Sequence, residues 1–177
     1  MLRKGSFGFR FAMASLRDAT KISRQRHRTK FYPYCQPFMT HYQKRLTIQT
    51  IGKSFSNITS KVQSVVNDSS IDTGLCTIFL RHTSASLLIQ ENADPDVLKD
   101  LSNFFAKLVP EDGKSYIHDA EGSDDMPAHI RTVLTKTSEQ IPICRGRLLL
   151  GTWQGIYLWE HREHSHYREV VVHITGS

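Results

Sequence analysis

From residue 141 to the C-terminus, four strand-like runs follow one another with no intervening segment long enough for a crossover helix: Ile141 to Ile143, Arg147 to Leu150, Ile156 to Trp159 and Val170 to Ile174. Neighbouring parallel strands need a crossover of about a dozen residues or more, usually a helix. This run of strands therefore dictates a mostly antiparallel sheet. Gly151-Thr-Trp-Gln-Gly155 predicts a hairpin between the second and third runs, and His164-x-His166 falls at the tip of a second hairpin leading to the last.

Upstream, the period of the apolar residues changes several times. Leu46 and Ile48, separated by Thr47 and bounded by Gln49, alternate as a strand over 45–51. Phe55, Ile58, Val62, Val65 and Val66 recur at helical spacing and predict a helix over about 55–67. Leu75 to Leu80 is a short apolar, β-branched run and reads as a buried strand. Asp94-Pro95 signals a helix start, because Asp can accept from the orphan amides and Pro suits the first turn. Val97, Leu98, Leu101, Phe104, Phe105 and Leu108 give that helix one apolar stripe, and Pro110 closes it. Asp125-Met-Pro127 opens a third helix in the same way, with Ile130, Val133 and Leu134 expected to face inward. Strand, helix, strand, two helices and then strands is the order of an α+β domain.

The folded domain is expected over 41–177. Residues 1–40 hold nine Lys or Arg and one acid, a net +8 out of the chain's +6, which leaves the rest at −2. The basic balance thus belongs to the N-terminal extension and gives no argument for nucleic-acid binding by the domain. The extension, with Phe7, Phe9, Phe11, Met13 and Leu16 among basic and small residues, suits an organelle transit peptide and a mitochondrial or other organellar location. An untargeted basic tail on a cytoplasmic protein accounts for the same residues. Cys35, Cys76 and Cys144 are widely spaced and form no C-x-x-C pair, which argues against a disulfide framework. No run of about 18 apolar residues offers a membrane span.

The segment His118-Asp-Ala-Glu-Gly-Ser-Asp-Asp-Met-Pro-Ala-His129 carries the most chemistry. Two imidazoles and four carboxylates (Asp119, Glu121, Asp124, Asp125) crowd a loop that runs into a helix start. Clustered carboxylates repel one another, and a cation or a ring of Arg relieves the repulsion. Asp125 as a plain cap and His129 as a flank of the apolar stripe explain the same residues without an ion. His82-Thr-Ser-Ala-Ser86 places an imidazole and three hydroxyls at a strand end, and Glu91-Asn-Ala-Asp94 leads into the second helix. Ile156, Leu158 and Glu160 alternate onto one strand face, so Glu160 must meet Arg, a metal or water. Walker, G-x-S-x-G and G-x-G-x-x-G motifs do not occur, which removes the usual sequence support for P-loop, serine-hydrolase and dinucleotide readings.

Taken together, His82-Thr-Ser-Ala-Ser, Glu91-Asn-Ala-Asp-Pro95, Glu121-Gly-Ser-Asp-Asp-Met-Pro-Ala-His-Ile130, Gly146 and Gly151-Thr-Trp-Gln-Gly-Ile with Glu160-His-Arg closely resemble the YjbQ family, also called the secondary thiamine-phosphate synthase family. The resemblance runs in order over 41–177. It implies a sandwich-like α+β domain, a homotrimer, a His-containing metal site and a weak thiamine-phosphate synthase activity. His82, His118 and His129 stand at the family's His positions and are the expected ligands of a divalent ion, zinc or magnesium. Glu91, Asp125, His161 and Arg168 fall in its other polar motifs and are the candidate catalytic groups.

The leading expectation is therefore a metal-dependent enzyme acting on a phosphorylated small metabolite, such as the joining of a pyrimidine diphosphate to a thiazole phosphate. Arg162 or Arg168 would offset phosphate charge and His161 would manage protons. The alternative is a non-catalytic trimer that binds a metal or a small anion. No nucleic-acid partner and no membrane partner is expected for the folded domain.

Overall fold

A computed structural model of the chain describes residues 39–177. The expectations for the basic extension up to residue 38, including its role as a transit peptide, lie outside the described residues. The elements run β1 (Thr40–Gln49), β2 (Ser54–Asn57), α1 (Thr59–Ser69), β3 (Gly74–Leu80), β4 (Ala85–Glu91), α2 (Pro95–Leu108), α3 (Asp125–Leu134), β5 (Ser138–Cys144), β6 (Arg147–Leu148), β7 (Gln154–Glu160) and β8 (Tyr167–Gly176). They form a five-stranded sheet, β1-β8-β3-β5-β6, and a three-stranded sheet, β2-β7-β4. Every paired neighbour is antiparallel. The fold is α+β, as the late run of strands requires.

One apolar core joins both sheets. Cys76, Ile78 and Leu80 of β3 and Val170, Val172 and Ile174 of β8 are buried together with Leu87 of β4, Ile156 and Leu158 of β7, and Val62, Val65 and Val66 of α1. Period two in the strands and period 3.6 in α1 deliver these side chains to one interior. Burial pushes the Cys76 thiol up to about 12, so it packs as a small apolar group.

Five local expectations are corrected. Phe55 belongs to β2, opposite Trp159 of β7, with the two rings stacked at 4.6 Å. α1 accordingly begins four residues later, because a four-residue strand is too short to reveal its alternation. β6 and β7 do not form a hairpin: β6 pairs with β5, whereas β7 lies between β2 and β4. Residues 149–153 cross from one sheet to the other, and so does the segment 161–166 between β7 and β8, so His164-x-His166 lies in a crossing and not at a hairpin tip. The two-residue hairpin is instead Arg145-Gly146, both at positive φ (53° and 67°), which joins β5 to β6 as such turns require.

The remaining two concern helix faces. α2 starts as expected, with Asp94 accepting from the Asp96 amide at 2.9 Å, but none of its residues is buried and Phe104 and Leu108 are exposed. In α3 the inward face is Asp125, Pro127, Ala128, Arg131 and Thr132, whereas Val133 is 84% exposed and Leu134 is also exposed. The polar members of this face are buried because each finds a partner: Asp125 accepts from Arg162, Arg131 donates to the Val109 carbonyl at 3.0 Å, and the Thr132 hydroxyl donates to the Ala128 carbonyl at 2.9 Å.

Candidate metal centre

The first turn of α3 and the loop before it build the site. Arg162, just past β7, donates from Nε to Asp124 Oδ2 at 2.9 Å, from Nη1 to Asp125 Oδ1, and from Nη2 to the Glu121 carbonyl at 2.7 Å. The Glu163 amide also donates to Asp124 Oδ2, at 2.9 Å. Burial alone would raise the Asp124 carboxyl, yet the Glu163 amide and the Arg162 guanidinium hold it below its ordinary value. One guanidinium fork thus gathers the acidic loop against the strand end.

Asp125 is buried, and its second oxygen, Oδ2, has no hydrogen-bond partner. Two imidazole nitrogens nevertheless stand beside it: His118 Nε2 at 2.8 Å and His129 Nε2 at 3.5 Å. The short His118 contact lacks hydrogen-bond alignment. His129 sits one helical turn after Asp125, and its Nδ1 donates to the Thr83 carbonyl at 2.9 Å. A carbonyl can only accept, so Nδ1 carries the proton, and in the neutral ring Nε2 turns a lone pair toward the carboxylate. Lone pair facing lone pair is repulsive unless a proton or a metal ion lies between them.

His118, Asp125 and His129 each offer one ligand atom, all within 4.8 Å of one another. Donors on a shell of 2.0–2.2 Å stand about 3–3.6 Å apart, so small side-chain rotations close this set on a divalent ion. The set also has the outer support that metal-binding His and carboxylate residues show: Thr83 fixes one ring and Arg162 fixes the carboxylate. The residues fit a metal of the zinc or magnesium type, with two nitrogens and one oxygen favouring zinc.

The other sequence-derived candidates do not join this cluster within the chain. His82 accepts the Glu169 amide on Nε2 at 2.8 Å, and its Nδ1 lies 3.4 Å from Arg168 Nη1. Burial, then the Arg168 charge, lowers its affinity for a proton. It shares with His129 the lining of an apolar groove of about 570 Å³, but its accepting nitrogen is already engaged. Glu91 ends β4, six residues from Ala85, which pairs with Glu160 at the site end. At about 3.3 Å per residue the strand carries Glu91 roughly 20 Å away. The end-of-strand position of Glu91 and the backbone capture of His82 are three-dimensional facts with no local sequence signal.

Arg168 is committed to Glu160: Nε donates to Oε2 at 2.7 Å and Nη2 to Oε1 at 2.5 Å. The Thr50 hydroxyl and the Arg162 amide complete that carboxylate's partners, at 2.9 and 3.0 Å. Although burial raises Glu160, Arg168 and these donors hold its pKa below the ordinary value. His161 is 1% exposed and its Nε2 lies 2.5 Å from Ser86 Oγ. Burial, reinforced by the positive charge of Arg131, pushes its pKa down to about 3. Ser86 belongs to the hydroxyl-bearing strand end that the sequence marks, whereas the hydroxyl of Thr135 and the cation Arg131 carry no motif. An Arg and a Thr on the inward side of a helix were the available signal.

An antiparallel two-sheet α+β domain with a His–Asp–His cluster at a helix start defines the class of protein. Residues 44–177 match the family model described as UPF0047 protein YjbQ-like. The chain belongs to this family. It is 67% identical over 135 residues to the UPF0047 protein sll1880 of Synechocystis, covering 76% of this chain and 92% of that one. Similarity to the UPF0047 protein YjbQ of Salmonella typhimurium is 42% identity over 136 residues, 76% of this chain and 98% of the relative. Among solved structures, a YbjQ-like protein of unknown function from Sulfolobus solfataricus superposes with a TM-score of 0.72 at 25% identity, over 78% of this chain and 99% of the other. A YjbQ/UPF0047 family protein from Clostridium acetobutylicum gives a TM-score of 0.68 at 38% identity, over 74% and 98% of the two chains.

Proposed function

We propose that this protein is a divalent-metal-dependent enzyme acting on a phosphorylated small molecule, with the ion held by His118, Asp125 and His129. One observation carries the reading: the buried Asp125 Oδ2, without a hydrogen bond, stands 2.8 Å from His118 Nε2 and 3.5 Å from His129 Nε2, so that two imidazole nitrogens and a carboxylate oxygen converge. A divalent ion bound there supplies positive charge to phosphate oxygens and stabilises a leaving diphosphate. Asp125 is oriented by Arg162, His129 by the Thr83 carbonyl, and the half-exposed His118 stands at the solvent side. Arg162 and Arg168 are already engaged by internal carboxylates, so they act as positioning residues rather than as phosphate clamps. Transfer of the thiamine-phosphate synthase type is the finer version of this reading and rests on the family resemblance.

A second reading, a non-catalytic trimer that binds a metal or a small anion, is favoured by the sealing of His161 away from solvent, which removes the expected proton carrier. Exposed Phe104, Leu108, Phe79 and Val133 support self-association. Turnover separates the two. Protein supplied with Mg²⁺ or Zn²⁺, a hydroxymethylpyrimidine diphosphate and a thiazole phosphate is expected to release pyrophosphate, and Asp125→Asn to abolish the release. Stoichiometric metal binding with no pyrophosphate released would select the trimeric binder.

A further inference from the structure

α3, the end of β3 and the turn leading to β4 enclose a groove of about 570 Å³. That volume lies within the range of roughly 300–1,000 Å³ in which small-molecule pockets fall. His129 forms part of the groove wall, and the same ring turns Nε2 toward Asp125 Oδ2 at 3.5 Å. One imidazole therefore joins the groove to the point where His118, Asp125 and His129 converge.

The groove offers a ligand hydrocarbon more than hydrogen bonds. Phe79 is 48% exposed and Val133 84%, so both present apolar surface to whatever enters. The polar groups around them are largely engaged within the chain. The Thr132 hydroxyl donates to the Ala128 carbonyl at 2.9 Å. The Thr83 carbonyl accepts from His129 Nδ1 at 2.9 Å, and His82 Nε2 accepts the Glu169 amide at 2.8 Å. Arg81 Nη1 is paired with Glu169 Oε2 at 2.7 Å. The hydroxyls of Thr83 and Thr137 are the neutral donors left in the wall. A ligand rich in hydroxyls would lose its water shell here without recovering those bonds, whereas each methylene buried tightens binding about fourfold.

Granted a metal bound by His118, Asp125 and His129, we propose that the substrate of this site is a phosphate ester whose organic group is apolar. The phosphate meets the ion, and the organic group lies in the groove against Val133 and Phe79. A sugar phosphate falls outside this class, because its hydroxyls would face those two side chains. Val133 and Phe79 are then specificity residues, distinct from the three ligands and from the arginines that position them.

Two phosphate esters of similar size test the assignment: n-butyl phosphate and glycerol 3-phosphate. Calorimetric titration of zinc-loaded protein is expected to show butyl phosphate binding about tenfold or more tightly than glycerol 3-phosphate. Val133→Asn and Phe79→Asn change no charge and lie at exposed positions, so the fold is retained. Each is expected to reduce the preference to about threefold or less, with zinc content and glycerol 3-phosphate affinity as in wild type. Equal binding of the two esters by zinc-loaded wild type, binding of neither, or an undiminished preference in both variants overturns the inference and leaves the metal site standing. A protein that takes up no zinc overturns the metal reading and this inference together. A preference that is absent from wild type and emerges only when Val133→Asn dissociates an oligomer shows that a second copy fills the groove, and overturns it as well.

Discussion

Arg162 holds Asp125 by one carboxylate oxygen, Oδ1, and so fixes the other, Oδ2, toward His118 and His129. The ion pair is buried, and removing one partner of such a pair strands the other at a cost of about 3–5 kcal/mol. Arg162→Lys keeps the charge but loses the fork that spans Asp124 and Asp125. It is expected to lower metal affinity by about 10–100-fold, the usual effect of losing an outer-shell partner. Competition with a chromophoric chelator checks this, and wild-type affinity in the Lys variant would remove Arg162 from the site's machinery.

The depressed pKa of His161 links stability to pH. The unfolded imidazole takes up a proton near its ordinary 6.5, whereas the folded one does so only at about 3. Between those values the unfolded state holds the extra proton. The stability present above the unfolded pKa is therefore lost progressively as pH falls from 6.5 toward 3, at up to about 1.4 kcal/mol per pH unit. His161→Phe should flatten that limb in urea titrations across pH 4–6.5. An unchanged slope in the variant would show that groups other than His161 control unfolding across that window; Glu160 is not among them, since its lowered pKa places its own loss below its ordinary 4.5.

Most strands and the starts of α2 and α3 were legible in the sequence, because alternation and the Asp-x-Pro or Asp-Pro signals are local. β2 escaped because four residues cannot display a period, and β4 because its first two residues, Ala85 and Ser86, read as the end of the polar stretch His82-Thr-Ser-Ala-Ser. The outward stripe of α2 was legible as a stripe but not as exposed, since periodicity gives a face and not its partner. At the site, the spacing of Asp125 and His129, one helical turn, was readable directly. That Arg162 meets the acidic loop across 37 residues, and that Arg168 is claimed by Glu160, depend on the sheet-to-sheet crossing at 161–166, for which the sequence carries no period.

The exposed apolar face of α2 predicts a quaternary change. If the protein forms the proposed trimer through this face, Phe104→Glu with Leu108→Lys should convert it into monomers by light scattering, with secondary structure retained, because neither side chain is buried within the chain. A wild-type protein that is already monomeric, or a variant that remains trimeric, would place the subunit contact elsewhere or nowhere.

Gly52 ties β1 to the crossing segment. It holds φ at +92°, and a Cβ there would meet the Glu163 carbonyl oxygen at 2.4 Å. Gly52→Ala is expected to destabilise the fold by about 1–3 kcal/mol, from left-handed strain and from displacement of the Glu163 backbone that also supports Asp124. Thermal unfolding measures it, and a melting temperature within a degree of wild type would contradict the close approach.

In the proposed function, His118, Asp125 and His129 grip a divalent ion together. Elemental analysis of purified wild type and of His118→Ala, Asp125→Asn, His129→Ala and His173→Ala tests it directly. The expected result is about one divalent ion per chain in wild type and in His173→Ala, and loss of most of it in each of the other three. Equal metal in all five proteins, or none in wild type dialysed against zinc or magnesium, would contradict it.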